Sequence, residues 1–208
     1  MKFDLTKYEI KKNAILDATY KCIFKQGIAG ISMRSIAKEA KVNQPNLHYY
    51  FKSKENLLIE FIRAFFVRCV NDITKYLKPS DTPEKKLNAI FEAGKDRVLK
   101  EEERYVVFAE IWSLAIQHPP MQKIFLNHYV EVYKLIDSII EEGIRKGIFN
   151  DIERNVISIL FITFVEGTGL LQHMRKKPSD INKQFDIFTR TLKRIRYKNN
   201  SGTLRALG

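Results

Sequence analysis

The chain is poor in the residues that crosslink, bind metal or break helices. Its 208 residues hold two cysteines, four histidines, six prolines, nine glycines and a single tryptophan. Cys22 and Cys69 stand far apart in helical-looking sequence, which makes no disulfide framework and suits buried thiols of a reducing compartment. None of His118, His128 and His173 has a His or Cys four residues away, so no metal site is expected. Glu166-Gly167-Thr168-Gly169 is not a phosphate loop, because it lacks the preceding strand and the Gly-Lys-Ser/Thr ending. No nucleophile with a recognisable neighbouring motif and no paired-carboxylate motif appears, so neither an enzyme nor a cofactor is expected. The longest apolar run, Val156 to Val165, is too short to span a bilayer and stops at Glu166. No early stretch joins a basic start to an apolar core. The expectation is a cytoplasmic protein with no membrane partner.

What is present is an ordinary globular composition, 45% hydrophobic and 29% charged, in a chain long enough to bury a sizeable core. The net charge of +12 is unevenly spread. Residues 1–54 carry 11 Lys/Arg against 4 Asp/Glu, residues 55–189 are close to neutral, and the last 19 residues carry 6 basic groups and no acid. A basic head on a neutral body fits a partner that is a polyanion at one end; a solvated basic surface is the plainer alternative.

Apolar residues recur at spacings of three and four, while β-branched alternation of period two is missing, so the expected fold is all-α with about nine helices. The first runs from Lys7 to Lys25 with Gly27 as its stop. Ser32, Asn43 and Ser53 are candidate caps for the second, third and fourth, which end near Lys41, Phe51 and Leu77. Thr82-Pro83-Glu84 starts the fifth. The sixth covers Arg104 to Gln117 and ends at His118-Pro119-Pro120. Met121 to Lys146, Ile152 to Met174 and Ile181 to Tyr197 make the last three, with Lys177-Pro178-Ser179 between the final pair. Residues 199–208 lack a periodic pattern and are expected to be mobile.

Function concentrates in Ser32 to Leu57. Two short helices about four residues apart can cross steeply only over a small apolar contact, which Ile36, Ala37, Ala40, Val42 and Leu47 supply. That is helix-turn-helix geometry, whose second helix lies in the major groove with its first residues at base edges. Here those are Asn43, Gln44, Pro45 and Asn46. Gln and Asn pair bidentately with adenine, and a proline ring packs on a thymine methyl. Ser32, Arg34, Tyr49, Tyr50, Lys52 and Lys54 are candidates for phosphate contacts.

The pattern I15-L16-x-A18, F24, G27, S32, I36-A37, A40, V42, L47, Y50-F51-x-S53-K54-E55 and L57 resembles the DNA-binding domain of the tetracycline-repressor (TetR) family over about residues 8–60. The resemblance implies that Gln44 reads a base, that Pro45 touches a thymine methyl, and that His48, Tyr49 and Lys54 hold phosphates. Lys41 stands where the family usually has a turn glycine, Asn43 where it has a Ser or Thr cap, and His48 where it has a Tyr. A left-handed Lys41 costs about 1–2 kcal/mol.

Beyond residue 54 the interior is aromatic. Phe108-Ala-Glu-Ile-Trp-Ser-Leu-Ala, His118-Pro119 and Glu166-Gly167-Thr168-Gly169 are similar to the effector domain of a subgroup of the family that includes a choline-responsive repressor. Phe108, Trp112 and Phe164, with Glu166, Thr168 and His128 as polar groups, are the candidate lining of a small-molecule pocket; ordinary core aromatics are the plainer reading. Glu166, if it faces inward, favours a cation, and an anion is disfavoured because no Lys or Arg interrupts Tyr105–Gln122 or Val156–Met174. Gly167 and Gly169, costly inside a helix, suggest close approach of a helix or ligand. The eighth helix is apolar on more than one face, which makes Val156, Leu160, Phe161, Leu171 and Phe188 candidates for a dimer interface; the resemblance implies a homodimer.

The expected organisation is a helix-turn-helix domain over 1–53, an effector and dimerisation domain over 54–198, and a tail. The expected function is a dimeric repressor that binds double-stranded, palindromic operator DNA and is released by a small, partly apolar effector. Two alternatives stay open: a DNA-binding protein of this fold without a ligand, and a small-molecule carrier or enzyme with a degenerate DNA head.

Overall fold

The computed structural model describes residues 7–150, 154–174 and 180–196. Among them are nine helices and no strand: α1 Lys7–Gly30, α2 Met33–Glu39, α3 Gln44–Tyr50, α4 Lys54–Thr74, α5 Pro83–Lys100, α6 Glu102–Gln117, α7 Pro119–Arg145, α8 Arg154–Met174 and α9 Ile181–Arg196. The expected boundaries at Ile152, Lys177-Pro178-Ser179 and Tyr197, and the tail, lie outside the described residues. Packing divides the chain into two compact units. The first takes the described residues up to Asn71 and those from Glu101 to Val130; the second takes Asp72 to Lys100 and those from Glu131 onward.

In the first unit α1 packs on α2 and on α6, and α2 packs on α3. Ile15, Ile23, Ile36, Leu47, Leu57 and Ile62 are fully buried, and each contributes about 1.5–3 kcal/mol by leaving water. Lys12 with Glu60 at 3.0 Å and Asp17 with Arg68 at 2.7 Å tie α1 to α4. Both pairs face solvent, where such pairs yield about 0–1 kcal/mol, so the apolar contact decides the packing. Gly27 bends α1 with φ +67°, and helical hydrogen bonding resumes as far as Gly30. A side chain at Gly27 meets strain at that φ and the Glu110 carboxylate at 3.1 Å.

α7 starts at Pro119, two residues before the expected Met121. Prolines fit a first helical turn, whose amides have no helical acceptor, and His118 ahead of them is extended, at φ −123° and ψ 100°.

In the second unit α5 packs against α8 and α9. Gly94 permits this: a Cβ there sits 3.0 Å from Val165 and 3.1 Å from Phe161. Gly167, expected at such a close approach, has nothing within 4 Å among the described residues. Phe161, expected at a dimer face, is buried inside the unit against Phe91, ring centres 4.6 Å apart. Period and hydrophobicity mark both faces of an apolar helix alike, so the sequence could not tell which Phe turns inward.

By length and composition alone Val156–Met174, 19 residues of mean hydropathy 1.4, is long and apolar enough to cross a membrane. That stretch includes Glu166, where the uninterrupted apolar run ends. Within the unit the stretch is a packed helix: Ile157, Phe161 and Val165 are buried, and Glu166 pairs with Arg97 of α5 at 3.1 Å.

Candidate nucleic-acid interface

The helix-turn-helix closes its own backbone before it meets any partner. Ser32 is extended, and its hydroxyl accepts from the Ser35 amide at 3.1 Å while its own amide donates to the Ser35 hydroxyl at 2.9 Å. Asn43 Oδ1 accepts from the Asn46 amide at 2.8 Å, and Ser53 Oγ accepts from the Asn56 amide at 3.1 Å. Each cap typically contributes about 1 kcal/mol. Between α2 and α3 the Val42 amide donates to the Ala37 carbonyl at 3.0 Å, and Lys41 is left-handed at φ +56°. Buried Ile36, Ala37 and Leu47 fill the crossing.

With the backbone satisfied and Leu47 turned inward, α3 presents Gln44, Pro45, Asn46, His48 and Tyr49 to solvent. Tyr50 is half-buried, and Arg34 and Lys52 are exposed on either side in sequence. Gln44, Pro45 and Asn46 occupy the first turn of α3, where an inserted recognition helix meets base edges. Three expected contacts need restating. The Asn43 side-chain oxygen and the Ser32 hydroxyl already serve as caps. Lys54 is not a free surface cation: its Nζ donates to the Ile28 carbonyl at 2.9 Å and to the Ile31 carbonyl at 2.7 Å. It closes carbonyls left over where α1 bends, a role that depends on residues 26 and 23 positions away.

Glu110 was missed. Its carboxylate accepts from the Ile28 amide at 2.7 Å, so α6 holds one side of the α1 bend while Lys54 holds the other. The signal available in the sequence was an acid within an otherwise apolar stretch, Tyr105 to Ile116. A cavity of about 540 Å³ adjoins this bend, lined by Ile28, Lys54, Leu58, Glu110, Leu114 and Met121 among others.

Residues 15–61 match the profile described as bacterial regulatory proteins, tetR family. That match covers the two short helices, their caps and α1 from residue 15 onward. Over these residues the chain carries a TetR-family DNA-binding domain. The chain is 25% identical over 163 residues to an HTH-type transcriptional regulator in the dhlA 5' region of Xanthobacter autotrophicus, covering 77% of this chain and 79% of that one. It is 33% identical over 81 residues to the regulator BetI of Rhizobium meliloti, covering 39% of this chain and 40% of BetI. Two solved regulators share its fold. One, from Saccharomonospora viridis in complex with choline, has a TM-score of 0.79 at 17% identity over 90% of this chain and 98% of the other. The second, from Haloarcula marismortui, has a TM-score of 0.80 at 20% identity over the same shares.

The residues expected around an effector fall into two groups. In the first unit Phe108 and His128 are buried, and Trp112 is exposed. His128 stacks on Phe66 at 4.2 Å, Phe108 on Phe125 at 5.7 Å, and Trp112 lies 6.1 Å from Phe108. In the second unit Phe164 stacks on Phe188 at 4.0 Å, Thr168 is half-buried and Glu166 holds Arg97. Burial pushes the Glu166 carboxyl up, and the Arg97 charge opposes that shift. Glu166 does not stand open to a cation: Tyr105–Gln122 and Val156–Met174 hold no Lys or Arg, but α5 brings Arg97, which neutralises it. Of the expected dimer residues, Val156, Leu160 and Leu171 are exposed.

Proposed function

We propose that this regulator is a homodimeric repressor that reads a palindromic operator through α3 and lets go when a small, partly apolar effector binds. The observation that carries the reading is a short helix whose backbone is capped internally while Gln44, Pro45, Asn46 and Tyr49 stay exposed. Side chains that face solvent in a row along one helix are what base readout requires.

The effector half rests on the rings of the first unit and on the relative of the same fold in complex with choline. Phe66, Phe108, Trp112 and Phe125 offer apolar and π faces, with His128 as a polar group. Phe108 and Trp112 flank Glu110 on α6. An effector that shifts α6 acts on the Glu110 bond to Ile28 and so on the α1 bend. It changes operator occupancy only by its differential affinity for the two states, typically about 1–3 kcal/mol.

The test has two arms on the full chain. Selection from a random duplex library should return a two-fold symmetric site. A screen of quaternary ammonium ions, neutral aromatics and acyl anions should find compounds that quench Trp112 and release the selected duplex, the quench vanishing in Trp112→Phe. Failure to select any duplex overturns the DNA reading; ligands that bind without releasing duplex overturn the effector reading.

A further inference from the structure

Three tyrosines meet at the end of α3 where the sequence motif stops. Tyr8, in the first turn of α1, lies 4.9 Å from Tyr50 and 6.2 Å from Tyr49, and the latter two are 5.3 Å apart, ring centre to ring centre. A cluster made only for packing buries its rings. Here Tyr8 keeps 41% and Tyr49 74% of their surface exposed.

The cations around this plate are sorted by face. Lys12 pairs with Glu60 at 3.0 Å, and those charges together with Glu9 hold its ammonium above the ordinary lysine range. Lys7 and Lys11, one helical turn apart, lie on a different face of α1 from Lys12, are exposed, and have no ion-pair partner among the described residues. Lys52, exposed, follows α3 directly. An exposed aromatic plate bordered by lysines with no acid committed to them suits an anionic backbone: phenol hydroxyls and ammoniums both donate to phosphate oxygens.

We propose that the first turn of α1 is a second phosphate-binding surface, in which Lys7, Lys11 and the Tyr8 hydroxyl take duplex phosphates flanking the base pairs read by α3. Tyr8 is held against the recognition helix by Tyr49 and Tyr50, so the two contacts move as one body. The inference rests on the reading that α3 enters operator DNA. It adds affinity and reach, and no base preference.

The test measures anisotropy on the duplex recovered by selection, in a form trimmed to the specified base pairs and a form extended by one helical turn on each side. Lys7→Ala with Lys11→Ala should weaken the extended duplex about tenfold near 100 mM salt and flatten the salt slope by about 0.9 per lysine in each protomer. The trimmed duplex should bind as it does to the parent, and the ranking of base-pair variants should not change. Tyr8→Phe should give a smaller loss on the extended duplex with an unchanged melting temperature, and Lys21→Ala, farther along α1, should change nothing. An unaltered salt slope, or equal losses on both duplexes, overturns the proposal. If the parent still discriminates base pairs, the failure belongs to α1 alone; if no duplex is selected, both readings fall.

Discussion

The recognition segment and the second unit treat their polar groups in opposite ways. From Ile28 to Asn56 the backbone is closed by Ser32, Asn43, Ser53 and Lys54, while Gln44, Asn46 and His48 face water and Tyr49 stays exposed beside Tyr8 and Tyr50. In the second unit the charges are closed on one another. Glu142 accepts from Lys86 at 3.0 Å and from Lys146 at 2.6 Å, which holds its carboxyl down at about 2, and Ser158 donates to Asp137 at 2.8 Å. Beside its exposed charges that unit also shows apolar side chains to solvent: Val156, Ile159, Leu160, Leu171 and Met174 on α8, and Ile187 on α9. Exposed polar readers suit a hydrated, charged partner, and an exposed apolar stripe suits a second copy of the same stripe. On the proposed function the difference separates two partners on one chain, DNA for the head and self for the body.

The strongest way to break that comparison is to charge the apolar stripe. Leu160 and Leu171 are 47% and 53% exposed in the single chain, so Leu160→Asp with Leu171→Asp leaves each protomer folded. Sedimentation should fall from about twice 24.4 kDa to that value. Operator affinity should drop by about 10³ or more as the paired half-sites are lost. A double variant that stays dimeric places the interface elsewhere. Phe161, buried against Phe91, is no longer a clean probe of it.

Lys54 sharpens the boundary between closing the backbone and meeting DNA. If its main work is to hold the Ile28 and Ile31 carbonyls, Lys54→Ala should lower unfolding stability by about 1–2 kcal/mol, with Glu110→Ala giving a similar loss from the other side of the bend. The salt slope of DNA binding should then change little. A slope flattened by about 1 per protomer with unchanged stability makes Lys54 a phosphate ligand instead.

Two glycines of the second unit test its packed and open faces. Gly94→Ala crowds Val165 and Phe161 and should cost about 1–3 kcal/mol by urea unfolding. Gly167→Ala enters open space within a helix and should stabilise by about 0.5–1 kcal/mol. Opposite signs confirm which of the two faces is packed; a costly Gly167→Ala means that a partner or ligand sits there.

What the sequence disclosed was local. A cap needs only its own helix, so Ser32, Asn43 and Ser53 were legible from residue type and position, while the left-handed turn at Lys41 was expected only from the resemblance to the TetR family. The recognition face followed from Leu47 and Ile36 pointing inward. Illegible were contacts set by tertiary placement: Glu110 lies 82 residues from Ile28, and Arg97 lies 69 from Glu166. No spacing rule within one helix reaches across such separations, which is why Glu166 looked like an open carboxylate and Lys54 like a free cation. The Tyr8 plate was likewise invisible, since its rings come from two helices more than forty positions apart.

The central claim is that α3 reads bases through its first turn. The most direct test measures competition binding of the parent and of Gln44→Ala against every single-base-pair variant of the selected duplex at one fixed salt concentration. The account predicts a loss of about 1–3 kcal/mol on the selected duplex, discrimination abolished at one base pair of each half-site, and the other positions ranked as before. A Gln44→Ala protein that ranks all variants as the parent does contradicts it.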